Sequence, residues 1–467
     1  MKKLLILFAA LLLCSGCDEK KNEDSEPVQS EPIQENIAES EDAALEAPFL
    51  TLSDTDFKDI NVPVKLNESE PPDEVKYIDL EGLDFGEKLP VCASADNWKD
   101  YYLDWLYEDV PDMSDIELKW RDIMQEPQEG QIEEYTFGDG AVYFFVSYDT
   151  NCRQWNHNTA FFRYDIENGE LKEITAVDSL DRAVHMAQCT LKYFNGKLYY
   201  IGDIPDGENS VHYCVYSVDT ETGEINVTFD DEAFSDRNAP NYPLDTLVCD
   251  DGHLYAVDVT FGKGSDITDQ VIYELNSETG EWNTVFMGHD MYKPAVICNG
   301  KIATINRNDS KKICVHTDSY DFVSPYRSAV LVYADAKEVA LLQSDRLSSN
   351  NGGRSITDNS TLQVFDLEKR EHYSFRLDEL GAGTEIEKVK NGYLVTNADG
   401  VLSPVYYLMP DMGMAFNITL GQAANGGSTG DELLDIMQKY LWKNNLINVC
   451  GDKASAMNGH RLAYMDR

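Results

Sequence analysis

Short stretches in which apolar and polar residues alternate recur along residues 132–420, each bounded by a glycine-containing turn signal. Val, Ile, Tyr and Phe dominate them, and a period of two sends successive side chains to opposite faces of a strand. The punctuation is specific. Asn195-Gly196-Lys197-Leu198-Tyr199-Tyr200 is the clearest copy of a phrase that returns as Asp251-Gly252-His253-Leu254-Tyr255-Ala256. Looser copies stand at Gly140, Asn299-Gly300 and Asn391-Gly392, and Asn458-Gly459-His460 reads as a further one. Asn-Gly and Asp-Gly supply the positive φ angles that tight primed hairpins require. A second phrase, ending in Gly-Glu, follows at 165–170, 219–224 and 276–281.

One copy predicts strands at 188–194, 197–201, 212–218 and 224–229, with a loop over 202–211. That is a four-stranded antiparallel meander. Gly140, Gly196 and Gly252 are spaced by 56 residues, and Gly300 follows Gly252 by 48. Between Gly300 and Gly392 there is room for another unit, its first turn at Asp335-Ala336. Four-stranded units at such intervals specify an all-β propeller. Units are expected to begin near 132, 187, 244, 294, 328 and 385. A seventh is expected from 456–465 paired with an N-terminal strand at 75–80, which would close the ring without an open edge. Seven blades are therefore expected, with six as the alternative count and a β-sandwich pair or irregular solenoid as the competing architecture. The repeat resembles the loose Kelch-like or quinoprotein-like repeats of bacterial propeller proteins. It lacks the Gly-His and Trp-Asp signature of WD40 repeats and the double glycine of Kelch blades, so the resemblance implies a fold and no activity.

Two segments depart from the alternation. Residues 96–124 carry Trp98, Tyr101, Tyr102, Trp105, Trp120 and Met124 at partly helical spacing. Residues 431–443 place Leu433, Leu434, Met437, Tyr440 and Leu441 on one helical face, with Thr429 and Glu432 as a capping box. Both read as helical additions packed on a propeller domain spanning 49–467.

The N-terminal end follows another pattern. Lys2 and Lys3 precede ten apolar residues, Leu4 to Leu13, then Ser15, Gly16 and Cys17. Ten apolar residues suit a signal h-region and are too few to span a bilayer. The stretch resembles a bacterial lipoprotein signal, although Cys14 stands where that box usually has Leu. The resemblance implies a signal peptide over 1–16 and acylation of Cys17, palmitate included. It implies anchorage on the extracytoplasmic side of a bacterial membrane, and Asp18 implies retention at the inner membrane in a double-membrane organism. Residues 18–48 hold eleven carboxylates, two lysines and no aromatic residue. Such a stretch cannot offset its ordering entropy, so 17–48 reads as an extended acidic tether.

Charge and cysteine usage narrow the partners. A net charge of −46 repels nucleic acid and anionic lipid surfaces. Beyond Cys17 the chain keeps Cys92, Cys152, Cys189, Cys214, Cys249, Cys298, Cys314 and Cys450. An even number permits disulfides in an exported protein, and the strand contexts of several equally suit buried free thiols.

Catalytic motifs are sparse. Gly426-Gly427-Ser428-Thr429-Gly430 matches G-x-S-x-G, but a slack glycine-rich link precedes the serine where a nucleophile elbow needs a strand. No phosphate loop, zinc motif or calcium loop spacing is present, and no cofactor or metal is expected. Topology is the better guide. Tight turns of a meander share one face, and the longer loops at 149–158, 203–210, 261–269 and 344–360 share the other; the last is a Ser/Asn/Gly-rich loop. There Arg153, Trp155 and His157 form the candidate ligand face, since an exposed indole beside Arg and His can stack on and hydrogen-bond a ligand. The reading is a non-catalytic module binding an envelope protein or glycan. The alternative is a propeller hydrolase or lyase acting on envelope or extracellular polymers, marked by carboxylates or a His converging in the channel. A quinone- or metal-dependent oxidoreductase lacks a visible ligand cluster.

Overall fold

The turn chemistry is realised residue by residue. Asp139, Asn195, Asp251 and Asn299 take φ angles of 45°, 48°, 46° and 50°, each followed by a glycine at positive φ. Those are the angles of a type I′ hairpin. The second phrase folds on its own leading residue. Asp219 Oδ1 accepts the backbone N–H groups of Glu221 and Thr222 at 3.0 and 2.8 Å. Asp165, Asn276 and Asp366 do the same in their own turns.

The computed structural model describes residues 50–60, 63, 65–67, 70–88, 127–148, 159–177, 191–205, 211–230, 246–261, 268–308, 310–343, 347–350, 353–356, 360–377, 385–396, 405–419, 447–458 and 461–467. The hairpins build seven four-stranded blades, a seven-bladed β-propeller. The first strands of the blades are Gln131–Gly138, Lys192–Phe194, Thr246–Asp250, Val296–Cys298, Val330–Ala334, Glu385–Val389 and Ile447–Cys450. Each touches the next, and the seventh touches the first, so they form the hub. The six expected starting points fall close to these strands. The expected seventh blade is present as well. Ile447–Cys450, Lys453–Asn458 and Arg461–Asp466 are completed by Lys76–Asp79, which pairs antiparallel with the third of them.

Tight turns gather on one face, as the meander requires. The turn between strands three and four hydrogen-bonds to the turn between strands one and two: Ile166 N to Gly140 O at 3.2 Å in blade 1, and Thr220 N to Gly196 O at 3.1 Å in blade 2.

Three local expectations are corrected. The loop placed at 202–211 gives up its two ends to strands, because the second and third strands of blade 2 run as Lys197–Pro205 and Val211–Asp219. Gly202 serves packing and not a turn: a Cβ there would lie 2.8 Å from the Tyr216 ring. Asn458-Gly459 joins the second and third strands of blade 7, so it is not a copy of the first hairpin. That hairpin is Gly451-Asp452, with Gly451 at φ 57°. Within 344–360, Leu347–Asn350 pairs with Gly353–Ile356 as an extra hairpin of blade 5. The helical additions at 96–124 and 431–443 and the signal and tether at 1–48 lie outside the described residues.

The N-terminal segment does more than close blade 7. Leu50–Ser53 lies parallel to the outer strand of blade 4, Tyr320–Val323. Lys58–Ile60 then adds to Glu371–Arg376 of blade 5, and Lys65–Asn67 to Met414–Asn417 of blade 6. The chain therefore walks round the rim from blade 4 to blade 7 before blade 1 begins. Phe57 pins this belt, its ring meeting Phe322 of blade 4 and Phe365 of blade 5 edge-on at 5.8 and 5.4 Å.

Tyrosine hydroxyls latch neighbouring blades on the tight-turn face. Tyr255 donates to Gly300 O at 3.2 Å, and Tyr320 to Asp335 O at 2.7 Å. Tyr193 donates to Asp139, Tyr393 to Glu338, and Tyr407 to Glu74. Burial raises the pKa of each of these tyrosines, and nearby carboxylates raise it further.

Two outcomes are expected. Ile78 is buried against Leu462 and Phe137, so Ile78→Ala should cost about 2–5 kcal/mol by leaving a cavity in the closing strand, read from urea unfolding. The latches keep their protons in the folded state above pH 10, where an unfolded tyrosine ionises. Stability should be complete below that pH and fall as pH rises past it, with tyrosinate absorbance appearing together with loss of the strand circular-dichroism signal. Ionisation of all tyrosines near pH 10 in a still-folded ring would contradict the latches.

Candidate functional site

The hub is the usual place to look for chemistry in a ring of blades, and here Glu134, Lys192, Asp250 and Asn448 are bonded to one another's blades or to the backbone. The first strand of blade 7 meets that of blade 3 across the centre, where Gly451 N donates to Cys249 O at 3.2 Å. Cys249 and Cys450 both aim their sulfurs at the Tyr193 carbonyl, at 3.6 and 3.5 Å. Lys192 is 5% exposed, and its Nζ donates to Asn448 Oδ1 at 3.2 Å. Asn448 in turn donates to the Tyr135 carbonyl. Glu134 accepts the Leu191 N–H at 2.8 Å. Asp250 accepts the Gly300 N–H at 2.9 Å and pairs with the Arg467 guanidinium. A buried charge without such partners would be far too costly to keep.

Cys214, Cys249, Cys298, Cys314 and Cys450 are buried and free, so among the described residues the cysteines follow the buried-thiol reading. Burial pushes the Cys298 thiol up to about 12. Cys249 is pushed well above the ordinary thiol range by its hydrogen bond to Cys450 and by burial. No group of three or more His, Cys, Asp or Glu among the described residues is placed to hold a metal ion.

A second place is open. On the tight-turn face of blade 7, between the turns of blades 6 and 1, lies a cavity of about 460 Å³. Glu74 and Lys76 line it from the closing segment, and Lys453, Tyr464 and Asp466 from blade 7 itself. Lys390 and Asn391 come from the first hairpin of blade 6, and Glu167 from blade 1. Lys453 Nζ lies 2.7 Å from Asp466 and 3.1 Å from Asp452. The Lys453 hydrogen bond holds the Asp466 carboxyl below the usual range, and Lys390 and Lys76 add to the effect. Glu74 is held by neutral donors, the Asn391 amide at 2.9 Å and the Tyr407 hydroxyl.

The sequence-predicted residues fall elsewhere. Arg153, Trp155 and His157, and the acylation candidate Cys17, lie outside the described residues. Sequence reasoning missed the lysines of the cavity and the pairing of Lys192 with Asn448. The partners lie far apart along the chain, and no local spacing marks them.

No protein-family model matches the chain, and no curated protein matches it. Solved structures align at low similarity. The β-propeller domain of the Trilobed protease from Pyrococcus furiosus is 10% identical at a TM-score of 0.38, covering 59% of this chain and 80% of its own. An oligogalacturonate lyase from Vibrio parahaemolyticus is 12% identical at 0.37, covering 70% and 85%. TolB from Acinetobacter baumannii is 11% identical at 0.29, covering 54% and 57%. The chain spans only 44% of the acylaminoacyl peptidase from Pyrococcus horikoshii. These likenesses carry no argument about activity.

The hub arrangement makes a direct prediction. Asn448→Leu should destabilise the protein by about 3 kcal/mol, because the buried Lys192 ammonium loses its acceptor. Lys192→Met combined with Asn448→Leu should recover most of that loss. Urea unfolding reads both, and an unchanged midpoint for Asn448→Leu would show that the contact carries no stability.

Proposed function

We propose that this protein is a lipid-anchored envelope protein whose propeller is a non-catalytic module for binding a protein or glycan. The observation that carries the reading is the filled hub. An enzyme that used the channel would need carboxylates or a His converging on open space with shifted pKa values. Instead, the first strands of blades 3 and 7 meet there, and Lys192, Asn448, Asp250 and Arg467 are engaged with one another or with the backbone. That leaves the faces of the ring for recognition, where loops and turns sit on a rigid scaffold.

The anchoring half of the proposal rests on the sequence alone. Lys2-Lys3, the apolar run to Leu13 and Ser15-Gly16-Cys17 resemble a lipoprotein signal, and the acidic stretch at 18–48 suits a tether. The lipid would sit on Cys17 on the extracytoplasmic side of the membrane. Asp18 would keep it at the inner membrane in a double-membrane host.

Two measurements test the two halves. Metabolic labelling with a palmitate analogue should mark the wild-type chain, and Cys17→Ser should lose the label and move to the soluble fraction; a labelled or membrane-bound Cys17→Ser chain would sink the anchor. A screen of envelope proteins and glycans against the full chain should find a ligand that is released unaltered. Trp155→Ala tests the long-loop face: loss of binding would support Arg153, Trp155 and His157 as the site, and retention would move it off that face. A ligand consumed instead of bound would favour the hydrolase or lyase alternative.

A further inference from the structure

The cavity on blade 7 has a topological cause. In blades 1 and 2 the third strand ends at Asp165 or Asp219, and a tight turn leads back into the fourth. One oxygen of each of those carboxylates accepts the N–H groups of its own turn. Blade 7 is assembled differently. Its third strand ends at Asp466, but its fourth strand is Lys76–Asp79, brought in from the N-terminal side. Arg467 N bonds to Asp452 O at 2.8 Å, the contact that Ile166 and Thr220 make at the start of their turns. The Arg467 side chain then heads for Asp250 at the hub. No turn joins Asp466 to Lys76, and a notch of about 460 Å³ lies beside these two strand ends.

The charge inside the notch differs from that of the rest of the molecule. Acids outnumber bases 84 to 38 along the chain, yet three lysines converge here around Asp466. Asp466 is taken by Lys453, and Glu74 by Asn391 and Tyr407. Lys76 and Lys390 have no carboxylate within 4.0 Å among the described residues, so their ammonium groups are free to bond a ligand. Glu167, exposed on the blade 1 lip, is an acceptor with no ammonium of its own there. Tyr464 offers a half-buried ring, its other side packed on Phe137 at 5.2 Å.

We propose that this notch binds a carboxylate-bearing sugar residue of an acidic glycan. The proposal rests on the binding-module reading and gives it a second face and a ligand class. Lys76 and Lys390 take the sugar carboxylate. Glu167 accepts hydroxyl protons, and the Tyr464 ring meets the apolar C–H face of the sugar. The volume lies at the small end for ligand pockets and suits one or two sugar rings, not a flat protein epitope. Glu74, Glu167 and Asp466 repel any anion, and they repel a phosphate dianion more strongly than a singly charged uronate. A neutral sugar would leave both ammonium groups unused.

The test is calorimetric titration of the full chain with a uronate-terminated oligosaccharide, set against the same oligosaccharide with its carboxylate reduced to the alcohol. Inorganic phosphate is the third probe. The uronate ligand should bind, the reduced ligand and phosphate should bind at least tenfold more weakly, and added salt should weaken the uronate complex. Lys76→Gln and Lys390→Gln should each lower uronate affinity about tenfold without moving the thermal midpoint, since both side chains are exposed. Equal affinity for the acid and its alcohol, equal affinity for phosphate, or indifference to both substitutions would overturn the proposal. If the uronate ligand fails while the wider screen finds another ligand, the notch assignment falls and the binding-module reading stands. If neither binds, both fall.

Discussion

A blade that lacks its outer strand presents a row of unpaired N–H and C=O groups, and a ring with such a blade stays open. In this protein the row belongs to Arg461–Asp466, and Lys76–Asp79 satisfies it. Four residue pairs, Arg461 to Asp79 through Tyr464 to Lys76, hold sequence positions nearly 400 apart in one sheet. The rest of the architecture follows from that constraint. On its way to blade 7 the N-terminal segment travels round the rim as a belt that covers the outer edges of blades 4, 5 and 6. The same exchange of strands leaves Asp466 and Lys76 unjoined by a tight turn, and the notch lies beside that closure.

The inside of the ring is fastened by directed polar contacts as much as by apolar packing. Phe144, Phe161, Tyr200, Phe322 and Phe365 fill the spaces between and within blades. Tyrosine hydroxyls then tie one blade to the turn of its neighbour, Lys192 ties blade 2 to Asn448 of blade 7, and Asp250 of blade 3 pairs with Arg467 at the end of blade 7. Apolar contacts tolerate sliding, while a hydrogen bond to a named carbonyl does not. The contact between Gly451 and Cys249 joins blades that are not neighbours in the ring, so the hub is filled off-centre. A protein with so large an excess of negative charge thus keeps Lys192 inside, held by its bond to Asn448.

Much of the fold was legible in the chain. Asn195-Gly196, Asp251-Gly252 and Asn299-Gly300 announced their hairpins because only a few residue types tolerate positive φ at both central positions of a primed turn. Strand periodicity placed the blades, and the pairing of the two ends was expected because a ring must abolish its edge. The belt was not legible. Leu50–Ser53, Lys58–Ile60 and Lys65–Asn67 are short, with mostly exposed side chains, and parallel pairing leaves no turn signal between partners. Gly202 was misread as the start of a loop because a glycine required by a ring packed against it looks the same in sequence as one required by a turn.

What the sequence determined by itself is therefore what depends on neighbours along the chain: turn type, strand period and repeat length. The tertiary structure decided what depends on neighbours in space. Asp466 ends its strand as Asp165 and Asp219 end theirs, but it forms an ion pair with Lys453 of the second strand, where theirs accept turn N–H groups. Lys76, Lys390 and Lys453 lie in three separate segments, each an ordinary surface lysine when read alone. They become a site only once closure of the ring brings those segments to one cavity, because Coulomb interactions and hydrogen bonds act over a few ångströms of space, whatever the separation in sequence.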